Sequence, residues 1–190
     1  MARTYVALVF ACLLPLAAGQ EMPPPPLPFY DWKACPFEGC TLGRWTAGMP
    51  VAVYDTWQEN RHPIAQIRKG EAVETVRSGV MTVRPGLIRL DRDLAQGNLK
   101  RGDEISTYAY RGEGFSAVWF KGQYYADFDI SFTRWPDGTG CGGEHCAATY
   151  VDLGNKVWWV EVKLASGLSG WVNMEQNRVN GVYMLRASEY

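Results

Sequence analysis

Val157-Trp158-Trp159-Val160-Glu161-Val162-Lys163, followed by Gly167-Leu168-Ser169-Gly170-Trp171-Val172, reads as a strand, a turn at glycine and an aromatic returning strand. The same grammar stands earlier, at Gly114-Phe115-Ser116-Ala117-Val118-Trp119-Phe120, the Lys121-Gly122 turn and Gln123-Tyr124-Tyr125. Further back, Lys69-Gly70-Glu71-Ala72-Val73-Glu74-Thr75-Val76 aligns with Arg101-Gly102-Asp103-Glu104-Ile105-Ser106-Thr107-Tyr108. In each copy a basic-Gly-acid turn opens an alternating strand. Shorter runs at 51–54, 64–67, 81–83 and 87–90 have the same Val- and Ile-rich character, with turn residues between them. Short strands at this spacing predict an all-β chain folded as small barrels or a sandwich. Only 91–99 hints at a helical period, and Gly97 interrupts it.

These segments resemble bacterial SH3-like barrels, in which a basic-Gly-acid turn precedes a Trp-x-x-Val strand and a Gly-x-x-Gly-Trp-Val return. Gly167-x-x-Gly170-Trp171-Val172 is the most specific piece and Lys69-Gly70-Glu71 the next, and the likeness covers about Val51 to Met174. The resemblance implies a compact barrel used in exported bacterial proteins as a recognition or spacer module, often attached to cell-wall enzymes. It carries over no catalytic residue.

The order of the pieces suggests a topology. The opener at 69–76 has no closing half before the second copy begins, whereas the second opener has its own at Phe115–Tyr125. The remaining closing half, Trp159–Val172, has no other opener. The expectation is therefore a discontinuous first SH3-like barrel (44–80 plus 149–190), a second inserted at 81–135, and a Gly/Cys loop at 136–148. The competing arrangement is two barrels in simple sequence, split near Gln96.

Residues 1–19 read as a signal peptide, with Arg3 as the basic start, an apolar run from Tyr5 to Ala18 and small residues at Ala17-Ala18-Gly19. Residues 20–43 form a Pro-rich spacer and a Cys-containing N-terminal segment. Nothing later approaches the ~20 apolar residues of a membrane span, so none is expected in the mature chain. The protein is expected to be exported, periplasmic or secreted. Of its 5 Cys, Cys12 lies in the signal and four form close pairs, Cys35 with Cys40 and Cys141 with Cys146. In an oxidising compartment these read as disulfides. Connectivity stays open, with local pairing the expectation and a zinc site that includes His145 the alternative.

Of the 190 residues, 47% are hydrophobic and 13% aromatic, and 19 Lys+Arg against 20 Asp+Glu give a net charge of −1. Such a composition excludes a disordered chain and leaves no basic excess for nucleic acid. The chemistry-bearing residues are sparse. His62 sits in a polar turn, His145 adjoins a paired cysteine, and no Gly-x-Ser-x-Gly, phosphate loop or calcium loop appears. No motif calls for a cofactor. Asp127 and Asp129 share a strand face and are the one carboxylate pair to consider for glycoside hydrolysis. Aromatic density in the second half reads first as core and as packing between the two barrels; alternation places Trp158 and Trp159 on opposite faces, and whichever is exposed would join Tyr124 or Tyr125 in a shelf for a peptide or glycan. The expected function is a non-enzymatic module at the cell envelope that recognises a peptide, peptidoglycan or an envelope protein. An envelope hydrolase and a purely structural spacer are the alternatives.

Overall fold

The computed structural model describes residues 21–32, 34, 41–179 and 182–187. Its strands in chain order are β1 (Phe29–Trp32), β2 (Gly43–Ala47), β3 (Val51–Tyr54), β4 (Pro63–Ile67), β5 (Ala72–Arg84), β6 (Gly86–Leu90), β7 (Glu104–Gly112) and β8 (Phe115–Phe120). They continue with β9 (Gln123–Asp129), β10 (Thr133–Arg134), β11 (Ala148–Asp152), β12 (Asn155–Lys163), β13 (Ser169–Asn173), β14 (Arg178–Val179), β15 (Val182–Tyr183) and β16 (Leu185–Ala187). The chain is all-β, as expected, with two curled half-barrel sheets.

The first sheet runs β16-β2-β5-β12-β13-β3-β4, with β1 added along β5, and the second runs β10-β11-β6-β7-β8-β9. Strands from both ends of the sequence thus share a sheet, while the middle strands form their own. Val160 of β12 lies opposite Ser78 and Val162 opposite Thr75, so the segment after Gly70 pairs with the late aromatic strand. In the second sheet β7 pairs with β8, and β8 with β9. The strand β5 runs on to Arg84 because Met81 and Thr82 pair with β1 on one side and β12 on the other. Residues 81–84 therefore belong to the first sheet, and Ala148–Asp152, paired with β6, to the second.

Alternation on these strands builds two cores. Val51, Val53, Val73, Val160, Val162 and Val172 point inward with Trp45 and Trp158 in the first sheet. Ile88, Leu90, Ile105, Val118, Phe120 and Phe128 fill the second.

The two basic-Gly-acid turns are built alike. Arg68 N donates to Glu71 Oε2 at 2.9 Å, and Lys100 N to Asp103 Oδ2 at 2.8 Å. Gly70 N donates to Ala47 O at 2.7 Å, and Gly102 N to Leu90 O at 2.8 Å. Equivalent turns thus lead into β5 and β7, each hydrogen-bonded to the end of the strand that its successor pairs with, β2 and β6.

The described N-terminal segment, 21–32, touches both sheets. Met22 N donates to Gly122 O at 2.7 Å, and Trp119 Nε1 donates to Met22 O at 3.2 Å. After the prolines, Phe29 packs edge-on to Tyr108 with ring centroids 5.1 Å apart, and β1 then joins the first sheet.

The chain passes between sheets twice, at Arg84-Pro85-Gly86 and at Asp152-Leu153-Gly154, and the two crossings lie against each other. A Cβ on Gly154, whose φ is +78°, would stand 2.5 Å from Arg84 O and 2.6 Å from Gly86 N. A Cβ on Gly86 would stand 2.5 Å from Thr107 Oγ1 and 3.0 Å from Leu153 O. An ion pair between Arg84 and Asp152 clasps the same point.

Gly154→Ala is expected to lose at least about 2 kcal/mol in urea denaturation, since it combines left-handed strain with a backbone overlap. Gly142→Ala is the control, because its φ is −116° and nothing lies within 4 Å of its added Cβ. It should shift stability by less than about 0.5 kcal/mol. Equal effects of the two substitutions would contradict this account of the crossing.

Candidate functional site: a cleft between the sheets

Where the crossings end, the two sheets diverge and leave a cleft of about 690 Å³. Trp158 and Val80 contribute from the first sheet, and Thr107, Ala109 and Tyr150 from the second. Trp135 forms another wall, its ring 4.8 Å from that of Tyr150. It leads a turn in which Trp135 N donates to Thr139 O at 2.9 Å. Cys141 and Cys146, 5.1 Å apart at Cα, are disulfide-bonded just beyond that turn. This bond takes two sulfurs that a zinc site would need as thiolates. Cys35 and Cys40 lie outside the described residues, as does the signal segment 1–19.

Lys156 enters the cleft two residues after Gly154, on the same strand face as Trp158. Its Nζ donates to Leu153 O at 3.1 Å and to Thr107 Oγ1 at 3.4 Å. The Tyr150 hydroxyl shares a hydrogen bond with Thr107; burial pushes the phenol above its usual range and that hydrogen bond offsets part of the rise. Three polar side chains from β7, β11 and β12 therefore converge. Burial lowers the Lys156 amine from 10.5 to about 8, with Asp152 pulling it up and Arg84 pushing it down again. Asp152 itself is held below the usual carboxylate range, first by Arg84 and then by the Gly154 N–H. Among the described residues Lys156 forms no ion pair.

The other end of the cleft carries Glu175, Arg178 and Tyr183. The Tyr183 hydroxyl donates to Glu175 Oε1 at 3.0 Å, and the Arg178 guanidinium lies over the Tyr183 ring at 5.1 Å. Burial, reinforced by Glu175, pushes the Tyr183 phenol up to about 12.

The four aromatic residues that the sequence suggested do not form one shelf. Trp158 and Trp159 are each 1% exposed. They take opposite faces, as alternation requires, but both faces are covered. Trp158 packs between Trp45 and Tyr183, with centroids at 5.9 and 5.0 Å, and adds only an edge to the cleft. Trp159 lies beneath Tyr54 and Arg61. Tyr124 packs toward Phe29, whereas Tyr125 packs on Phe128. The half-open aromatic surface stands elsewhere, where Tyr30, Trp32 and Trp57 meet with centroids 4.6 to 6.0 Å apart and Arg77 lies over Trp32. Asp127 is exposed, and Asp129 Oδ1 accepts from Ser131 N at 2.8 Å within a turn. Neither lines the cleft.

Lys156 was the residue that sequence reasoning passed over. Its signal was a lone lysine two positions before Trp158, hence on the same face of a strand that is otherwise apolar there. Comparison with protein-family models, curated proteins and solved structures finds no significant match. Among the described residues no helix is long and apolar enough to cross a membrane.

The lysine gives a direct test. After reductive ¹³C-methylation, the Lys156 resonance should titrate near pH 8, below the ordinary lysine range. A base whose folded pKa is depressed stabilises the fold as pH rises from the folded value toward the unfolded one. The advantage of Lys156→Met over the intact protein should therefore be largest near pH 7 and shrink toward pH 10. A Lys156 titration at 10 or above would contradict the desolvated amine.

Proposed function

We propose that the chain is an exported, non-enzymatic binding module of the cell envelope, two SH3-like barrels with one inserted into the other. In this reading it holds a peptide or peptidoglycan ligand in the cleft between its sheets. The observation that carries the proposal is the cleft itself. Its volume of about 690 Å³ falls within the ~300–1,000 Å³ usual for ligand sites. Its aromatic and apolar walls carry polar groups gathered at two ends, Lys156, Thr107 and Tyr150 at one and Glu175, Arg178 and Tyr183 at the other, a pattern that suits a recognition site.

The barrel reading draws support from the matched turns at Gly70 and Gly102 and from the corresponding antiparallel pairing of β5-β12-β13 and β7-β8-β9. The expectation of export draws on the apolar N-terminus and on the Cys141–Cys146 bond, which an oxidising compartment favours. A binding role is favoured over hydrolysis because Asp129 serves a turn, Asp127 faces solvent, and among the described residues no carboxylate pair lines the cleft.

Mature, oxidised protein should co-sediment with purified peptidoglycan sacculi. Trp135→Ala removes one wall of the cleft while leaving both sheet cores intact, and should weaken that association about tenfold. Trp158→Ala or Trp159→Ala would test folding instead, since deleting a buried indole costs about 3–5 kcal/mol. Folded protein that stays in the supernatant would overturn the envelope reading. A Trp135→Ala variant that sediments like the intact protein would remove the cleft from it.

A further inference from the structure

Lys156 is a cation held in a cleft, and among the described residues it forms no ion pair. Its closest acid in sequence, Asp152, is engaged by Arg84 and by the Gly154 N–H. Among the described residues the only acid lining the cleft, Glu175, is engaged by the Tyr183 hydroxyl and lies 3.9 Å from Arg178. An ammonium has three N–H donors, and Lys156 directs two of them to Leu153 O and Thr107 Oγ1. Half-buried charges in proteins are ordinarily paired, because desolvation without a counter-ion costs free energy. Here the backbone crossing fixes the amine where, among the described residues, that cost is offset only in part, by the field of Asp152 and by two neutral acceptors. The third N–H remains for something that enters the cleft.

We propose that the cleft recognises the free carboxylate end of a peptide, with the carboxylate seated on Lys156 Nζ and its terminal apolar side chain laid against Trp135 and Trp158. Thr107 and Tyr150 supply hydroxyls beside the same point and can donate to the second carboxylate oxygen. The lysine acts as a point charge rather than a planar fork, so it selects for charge more than for ligand orientation. Orientation falls to the aromatic walls. The inference rests on the reading of the cleft as the binding site, and adds to it the chemical class of the group recognised.

Soluble glycopeptide fragments released from sacculi, which carry free peptide carboxylates, provide one probe. The same fragments after carbodiimide amidation provide the other, and tryptophan fluorescence or calorimetry reads binding. Intact protein should bind the untreated fragments at least about tenfold more tightly than the amidated ones, the scale of a lost charge-assisted hydrogen bond. Lys156→Gln should abolish the preference for untreated over amidated fragments, while Lys156→Arg should keep a preference for the carboxylate. The amidation comparison uses the unaltered protein and so does not depend on how any variant folds. Equal binding of both probes by intact protein, or a Lys156→Gln variant that still prefers the carboxylate, would overturn the carboxylate assignment and leave the binding-module reading standing. Failure to bind either probe, with no association with sacculi, would overturn both.

Discussion

Two backbone segments, 84–86 and 152–154, pass within van der Waals distance of one another, and the arrangement of the two sheets depends on that passage. No side chain fits between them. Gly154 meets Arg84 O and Gly86 N, Gly86 meets Thr107 and Leu153, and the Arg84–Asp152 ion pair closes the outer side. Each sheet has its own core, so the sheets could in principle move as separate bodies. The double crossing holds them at a single point, assisted by Thr82 Oγ1 donating to Tyr108 O and by the buried Asp31 carboxylate, 2.9 Å from Arg111.

A cleft follows geometrically from this constraint. Two curled surfaces pinned at one edge open away from it, and the residues just beyond the pin face the gap. Lys156 is such a residue. Its amine is desolvated by the walls that the crossing brings together, and its closest acid in sequence has already been taken to fasten the crossing. Fold and electrostatics thus share a cause: the ion pair that secures the junction engages the acid closest in sequence to a neighbouring cation, which among the described residues forms no ion pair of its own.

What the sequence made legible was what is encoded locally. The spacing of Arg68-Lys69-Gly70-Glu71 and Lys100-Arg101-Gly102-Asp103 specifies a turn closed by its own acid, and both turns have that geometry. The strand after the opener at 69–76 and the strand of the closer at 159–172 share a ladder, β5 with β12. The limit of β5 was less legible, because Met81–Arg84 stay in the first sheet through pairing with β1 and β12, strands far away in sequence. The aromatic shelf failed for a similar reason. Alternation correctly separates Trp158 from Trp159, yet it cannot reveal that Tyr54 and Arg61, from an earlier hairpin, cover the second face. The significance of Lys156 was hidden most deeply, since a missing counter-ion is a property of the assembled neighbourhood and not of the strand that carries the lysine.

The central claim is that recognition takes place in the gap opened by the crossing rather than on the half-open aromatic surface around Trp32 and Trp57. Side-chain NMR of the mature protein, titrated with soluble sacculus fragments, compares the two places in one experiment. The account predicts that the indole resonances of Trp135 and Trp158 and the side-chain amine of Lys156 shift together with a common affinity, while Trp32 and Trp57 stay unchanged. Shifts at Trp32 and Trp57 with a silent cleft would contradict it.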